Sequence, residues 1–280
     1  MKKIVIFLGT CALLWLSAQA HAATSIVTDI DDTIKITHVN DPVEAAFRGL
    51  FTASAFLGMS QLYNKEITHS DASIYYVSGS PQFLTYAVNI LLSKNNFPAG
   101  DIYLRNDLGL PEIYSHKMIS IKKIFAENTK DQFLMFGDDT ERDFEVYHDL
   151  QAIYPGKILA SYIHLVRNNV ALPKDVIGYF NAADLALHEA LAGRISEAEA
   201  KEVLQQFLSI SINEEELLPD YAACPADGWL TKLANQANAL SSLQSMAPQV
   251  EEKLKAKCAW NIEQKEKQRR QQEWTSHHHS

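Results

Sequence analysis

Ser25-Ile26-Val27-Thr28-Asp29-Ile30-Asp31-Asp32-Thr33 runs from a short apolar segment straight into three acids. Residues 25–30 read as a buried strand, which puts the acids at its carboxyl end. Asp29 and Asp31 are two residues apart, so an extended backbone points both side chains the same way. One carboxylate of such a pair can attack phosphorus. The other can protonate the leaving oxygen and later take a proton from water. Like charges repel, so the pair needs a cation, and Mg²⁺ suits oxygen ligands and phosphate groups. An ordinary acid-capped turn from strand to helix has the same local pattern. The rest of the chain has to separate the two.

Working outward, the strand pattern repeats at Ser73–Val77, Asp101–Arg105, Gln132–Phe136 and Lys157–Ile163. Helices are predicted between them. One opens at Pro81 and runs to about Asn95. Ser115–Glu127 places Met118, Ile121, Ile124 and Phe125 on one face, and a further helix spans Asp143–Leu150. Strands alternating with helices imply an α/β fold, a parallel Rossmann-like sheet with helices on both faces. Ligands of such sheets bind at the carboxyl ends of the strands.

Other strand ends and helix starts supply matching chemistry. Ser78-Gly79-Ser80-Pro81 offers a hydroxyl and free N–H groups at a helix start, a cradle for phosphate. Lys117, at the start of its helix, can neutralise phosphoryl oxygens. Gly137-Asp138-Asp139, with Asp143 beyond, lets the backbone turn tightly and adds acids for a metal. Acid pair, hydroxyl, cation and acid pair at successive strand ends and helix starts point to a phosphoryl-transfer site.

These residues, in this order, resemble the haloacid-dehalogenase superfamily. The strings DIDDTIK (from Asp29), YYVSGSP (from Tyr75), HKMISIKKIF (from His116), FGDDTERDFEVY (from Phe136) and YPGKILASYI (from Tyr154) are similar to one branch of it. That branch is the catalytic domain of the actin-patch-associated phosphatidate phosphatases and their bacterial relatives. The likeness covers about residues 25 to 167. It implies a nucleophilic Asp29 that forms an aspartyl-phosphate. Asp31 becomes the acid and base and lends its backbone carbonyl to Mg²⁺. Ser78 and Lys117 hold the phosphoryl group. Asp138 binds the metal, with Asp139 or Asp143 in support. Two positions depart from the branch: Asp139 stands where a serine is usual, and Gln82 where a bulky tryptophan is expected. The first alters charge near the metal, and the second removes substrate-facing surface.

The implied organisation is a secretion signal over 1–22, a phosphatase core over 23–173 and a helical region over 174–280. A small helical cap is expected at about 36–70, after the first strand. Lys2 and Lys3, the apolar run Ile4–Leu16 and the small residues before Ala22 carry the signal reading, and with it export to the periplasm or beyond. No later segment is apolar enough to cross a membrane. Cys224 and Cys258 can pair in an oxidising compartment. A formal net charge of −9 argues against a broad nucleic-acid surface. The capping-box spacing of Ser196 and Glu199 starts one C-terminal helix, and the charged end after Gln249 reads as a solvated helix fading into a disordered tail. The expected substrate is a phosphomonoester, with phosphatidate or a similar lipid implied by resemblance. A soluble sugar phosphate or nucleotide is the alternative substrate. A secreted phosphate-binding protein without turnover is the alternative of another class.

Overall fold

The computed structural model describes residues 23–37, 53–68, 72–106, 112–236 and 240–278. The expected secretion signal lies outside the described residues. Six parallel strands form one sheet in the order β3-β2-β1-β4-β5-β6. They are β1 (Thr24–Thr28), β2 (Ile74–Pro81), β3 (Asp101–Arg105), β4 (Gln132–Asp138), β5 (Ile158–His164) and β6 (Ile177–Tyr179). The strand order reverses between β1 and β4, and the crevice at such a switch point is where these sheets bind ligands.

Successive side chains of a strand face opposite ways, and the core divides accordingly. Ile26, Ile74, Tyr76, Leu134, Phe136 and Tyr162 face one layer. Val27, Tyr75, Val77, Phe133, Met135 and Ile163 face the other. The second layer is closed by α3 (Ile113–Glu127), through Met118, Ile121, Ile124 and Phe125, and by α4 (Asp143–Ile153), through Val146, Tyr147 and Leu150. The first is closed by α1 (Met59–Thr68), α2 (Thr85–Lys94), α5 (Ala182–Leu191), α6 (Glu197–Ser209), α7 (Trp229–Ala234) and α8 (Ser241–His278). The capping box predicted at Ser196 is formed, with Ser196 and Glu199 bonding reciprocally.

The structure adds detail to three expectations. Of the segment expected as a cap, residues 38–52 lie outside the described residues. Met59–Thr68, the described helix of that segment, lies on the crossover from β1 to β2 and packs against the sheet. Met59, Leu62 and Tyr63 are buried there, and the hydroxyls of Tyr63 and Thr28 share a hydrogen bond of 2.9 Å. The sheet also continues past residue 173, because Ile177–Tyr179 adds a sixth strand beside β5. Gly178 admits the close approach of Leu165, whose Cδ1 would lie 2.9 Å from an added Cβ. Finally, the charged end is helical to His278. Pairs at helical spacing, Glu263–Lys267, Glu266–Arg270 and Arg269–Glu273, support it on its exposed stretch. Cys224 and Cys258 form a disulfide.

Candidate active site

Asp29 follows β1, and Asp138 ends β4, the two strands that flank the switch point. Alternation along β1 aims Thr28 at Tyr63 on one face and Asp29 at α3 on the other. Lys117, in the second turn of α3, meets Asp29 Oδ1 at 2.9 Å, Asp143 Oδ1 at 2.5 Å and Glu141 Oε2 at 2.9 Å. Lys117, Asp29, Asp138 and Asp143 are all buried.

The turn after β4 is wound around Asp138. Its Oδ1 accepts from the N–H (2.6 Å) and hydroxyl of Thr140, and its Oδ2 from the Thr33 hydroxyl at 3.2 Å. Asp143 Oδ2 accepts the Asp138 N–H at 3.2 Å. Gly137 makes this possible, because Asp143 lies where a Cβ at position 137 would be. Gly79 does the same for Glu141, whose carboxylate oxygens both lie 3.0 Å from the position of an added Cβ.

Asp31 faces a separate partner set. Its Oδ2 accepts from the Ser80 hydroxyl at 2.6 Å and the Ser78 hydroxyl at 3.2 Å. The Ser80 N–H in turn donates to Ser78 Oγ at 2.9 Å. The end of β2 therefore holds Asp31 beside the end of β1. Burial raises the Asp31 carboxyl above its ordinary value, while Lys35 and the Ser80 hydroxyl pull it down. A carboxyl held that way can carry the proton a leaving oxygen needs.

Electrostatics sharpen the site. Four carboxylates, of Asp29, Asp138, Glu141 and Asp143, surround one ammonium. Burial above all, and then their acidic neighbours, raise Asp29, Asp138 and Asp143, with Lys117 opposing. Burial works against the charged form of Lys117, yet Asp143, Asp29 and Glu141 raise it well above the ordinary lysine value. One cation does not balance this cluster.

A divalent cation fits the remainder. Asp29, Asp138 and Asp143 each present one oxygen, all within 4.8 Å of one another. Among the described residues none donates a hydrogen bond to either carboxylate oxygen of Asp29 despite complete burial, and Oδ1 makes an ion contact with Lys117. A buried, hydrogen-bond-free carboxylate in an all-oxygen set is what a hard cation such as Mg²⁺ satisfies.

Of the residues singled out from sequence, Asp29, Lys117, Asp138 and Asp143 meet in one cluster, and Asp31 with Ser78 forms the adjoining one. Asp31 does not enter the metal group through its side chain. Asp139 faces a loop instead: its oxygens accept the N–H groups of Arg167 at 2.9 Å and Asn168 at 2.7 Å. It pins the loop after β5, and it is not one of the three acids whose oxygens gather within 4.8 Å of one another. Glu141 and Ser80 were missed. Both lie inside the strings DDTERD and SGSP, but an exposed turn acid and a helix-cap serine have the same local appearance. His116 faces the Tyr103 carbonyl oxygen at 3.3 Å.

Residues 24–165 match the family described as phosphatidate phosphatase APP1, catalytic domain. The chain is 30% identical over 157 residues to phosphatidate phosphatase APP1 of Saccharomyces cerevisiae, covering 52% of this chain and 26% of that protein. It is 26% identical over 155 residues to an uncharacterized protein of Schizosaccharomyces pombe, again covering 52% and 26%. The chain thus spans about a quarter of the length of these curated relatives. A solved class C acid phosphatase from Bacillus anthracis with tungstate bound is similar at 16% identity and a TM-score of 0.34, over 69% of this chain and 81% of that one.

Proposed function

The chain belongs to the family of the phosphatidate phosphatase APP1 catalytic domain, and from that premise we propose that it is a phosphatase cleaving a phosphomonoester through Asp29. The observation that carries the reading is the convergence of Asp29, Asp138 and Asp143 around Lys117 at the sheet's switch point. Asp29 Oδ2, which accepts no hydrogen bond from the described residues, attacks phosphorus and forms an aspartyl-phosphate. Asp31 gives its proton to the leaving oxygen, then takes one from the water that hydrolyses the acyl phosphate. Ser78 and Ser80 orient Asp31 for both transfers. Lys117 balances phosphoryl charge from beside the nucleophile. Asp29, Asp138 and Asp143 would hold a Mg²⁺ ion, which would supply further neutralisation of phosphoryl charge.

Phosphatidate is the substrate that family membership favours. A soluble phosphomonoester is the second reading, favoured by Gln82 in the place of the branch's tryptophan. Export through the segment 1–22 completes the proposal, and the Cys224–Cys258 disulfide supports it, since such bonds persist in oxidising compartments.

The test is phosphate release by the purified protein with Mg²⁺, from phosphatidate in mixed micelles and from soluble phosphomonoesters, with Asp29→Asn as control. Release that needs Mg²⁺ and vanishes in Asp29→Asn supports the mechanism, and the preferred substrate decides lipid against soluble. A folded protein that releases no phosphate from any of them overturns it in favour of a binding role.

A further inference from the structure

Asp32 follows the second catalytic acid with a left-handed φ of 56°. Its turn is closed by its own N–H, which donates to the Lys35 carbonyl oxygen at 2.8 Å. Its carboxylate is held from two directions. Oδ1 accepts the N–H and hydroxyl of Thr37 at 3.1 and 2.9 Å, and also the hydroxyl of Tyr221 at 2.6 Å. Tyr221 is 189 residues further along the chain, outside the segment that carries the family match.

The segment bearing Tyr221 has little regular structure, only a 3-10 turn at Glu215–Leu217. One face of α8 holds it. Lys257 Nζ donates to the Asn213 carbonyl oxygen at 3.5 Å. Asn261 Nδ2 reaches the carbonyl oxygens of Leu218 and Pro219 at 3.2 and 3.4 Å, and Lys265 Nζ that of Asp220 at 2.7 Å. Residues 257, 261 and 265 recur every four positions, one face of a helix. On that face Cys258 is bonded to Cys224, three residues after Tyr221. From the sheet side, the Ala223 N–H donates to the Val166 carbonyl oxygen at 2.8 Å. Lys257 and Asn261 are buried, although both carry polar groups that water would otherwise solvate. Their use is to bind the backbone of this segment.

We propose that Tyr221 is a positioning residue for Asp31, acting through the Asp32 carboxylate and kept in place by α8 and the Cys224–Cys258 disulfide. The C-terminal region then braces the catalytic loop as well as the sheet. The inference deepens the proposed function and rests on Asp31 as its acid and base. Tyr221 touches no substrate in this account, so its loss alters turnover rather than substrate binding.

The experiment compares wild type and Tyr221→Phe, each with the disulfide intact and after treatment with a dithiol. The dithiol converts the Cys224–Cys258 bond to two thiols and is itself oxidised to a cyclic disulfide. Hydrolysis of p-nitrophenyl phosphate with Mg²⁺ is followed across pH, and amide hydrogen exchange is followed over residues 30–37. Tyr221→Phe is expected to lower kcat about tenfold with KM unchanged, the scale of a loosened catalytic group. The shape of the pH profile should change with it. Reduction should lower wild-type kcat similarly and have no further effect on Tyr221→Phe. Exchange over 30–37 should rise in all three altered states. A folded Tyr221→Phe with wild-type kcat, pH profile and exchange overturns the proposal. So does a reduction effect of equal size in both proteins, which would mean the disulfide acts through overall stability. If wild type hydrolyses nothing, the phosphatase reading fails first, and the exchange arm still reports whether Tyr221 orders the loop. The Cys224→Ser/Cys258→Ser double variant repeats the comparison without reductant.

Discussion

Gly137→Ala is the substitution for which the structure gives the firmest number. A Cβ at position 137 would lie 2.5 Å from Asp143 Cβ, 2.6 Å from its Oδ2 and 2.7 Å from its Cγ. Ordinary van der Waals contact begins near 3.4 Å, so in a close-packed interior Asp143 must retreat by about 0.9 Å. The retreat breaks two interactions at once, the Asp138 N–H to Asp143 Oδ2 and Lys117 Nζ to Asp143 Oδ1. It also pulls one oxygen out of the three-carboxylate group. A displacement of about 1 Å in a catalytic constellation costs on the order of 100-fold in rate. Phosphate release should therefore fall by about 100-fold, with the Mg²⁺ needed for half-maximal rate rising in parallel. Overpacking adds a stability loss of roughly 1–3 kcal/mol, visible by calorimetry as a fall of several degrees in Tm. An alanine variant within threefold of wild-type turnover, with unaltered Mg²⁺ dependence, would refute both the clash and the role of Asp143.

Lys117→Met removes the ammonium that faces the four acids, and in chelator it should lower stability to urea by about 3–5 kcal/mol, with part recovered on adding Mg²⁺. No loss in chelator would mean that the acids carry little charge in the folded state. Glu66 is pushed up to about 9 by burial first and by Glu189 second. Its folded value exceeds its unfolded one, so its stabilising contribution is complete below about pH 4.5 and is lost as pH rises through about 9. Wild type should lose Tm between about pH 5 and 9 more steeply than Glu66→Gln, and parallel curves would contradict this. Reducing the Cys224–Cys258 disulfide, whose cysteines are 34 residues apart, should cost about 4 kcal/mol, read as a lower urea midpoint without aggregation.

Much of the fold was legible because its signals are local. Each apolar strand run is bounded by polar turns, and the stripe of Met118, Ile121, Ile124 and Phe125 has helical spacing, on the face that packs against the sheet. The three-residue strand Ile177–Tyr179 was not legible, since a segment that short has no period to recognise. Nor was the position of Met59–Thr68, because an apolar helical stripe looks the same whether it packs on a lid or on a sheet. The site divided in the same way. Asp29, Lys117, Asp138 and Asp143 stood out as acids and a cation at strand ends and helix starts, and the sheet brings them together. Asp139 had an equal claim by sequence, and its oxygens instead meet two backbone N–H groups of a loop 28 and 29 residues away.

The sequence by itself therefore determined the parallel α/β sheet, the order of its elements and the chemical types gathered at its carboxyl edge. These follow from periodicity and turn chemistry within windows of a few residues. Only the tertiary structure decided which acids face one another, that Glu141 and Ser80 join them, and that Tyr221 reaches Asp32 from a distant segment held by α8. Which partner a side chain meets depends on strand register and on contacts between residues far apart in the chain. Neither leaves a periodic trace in the sequence.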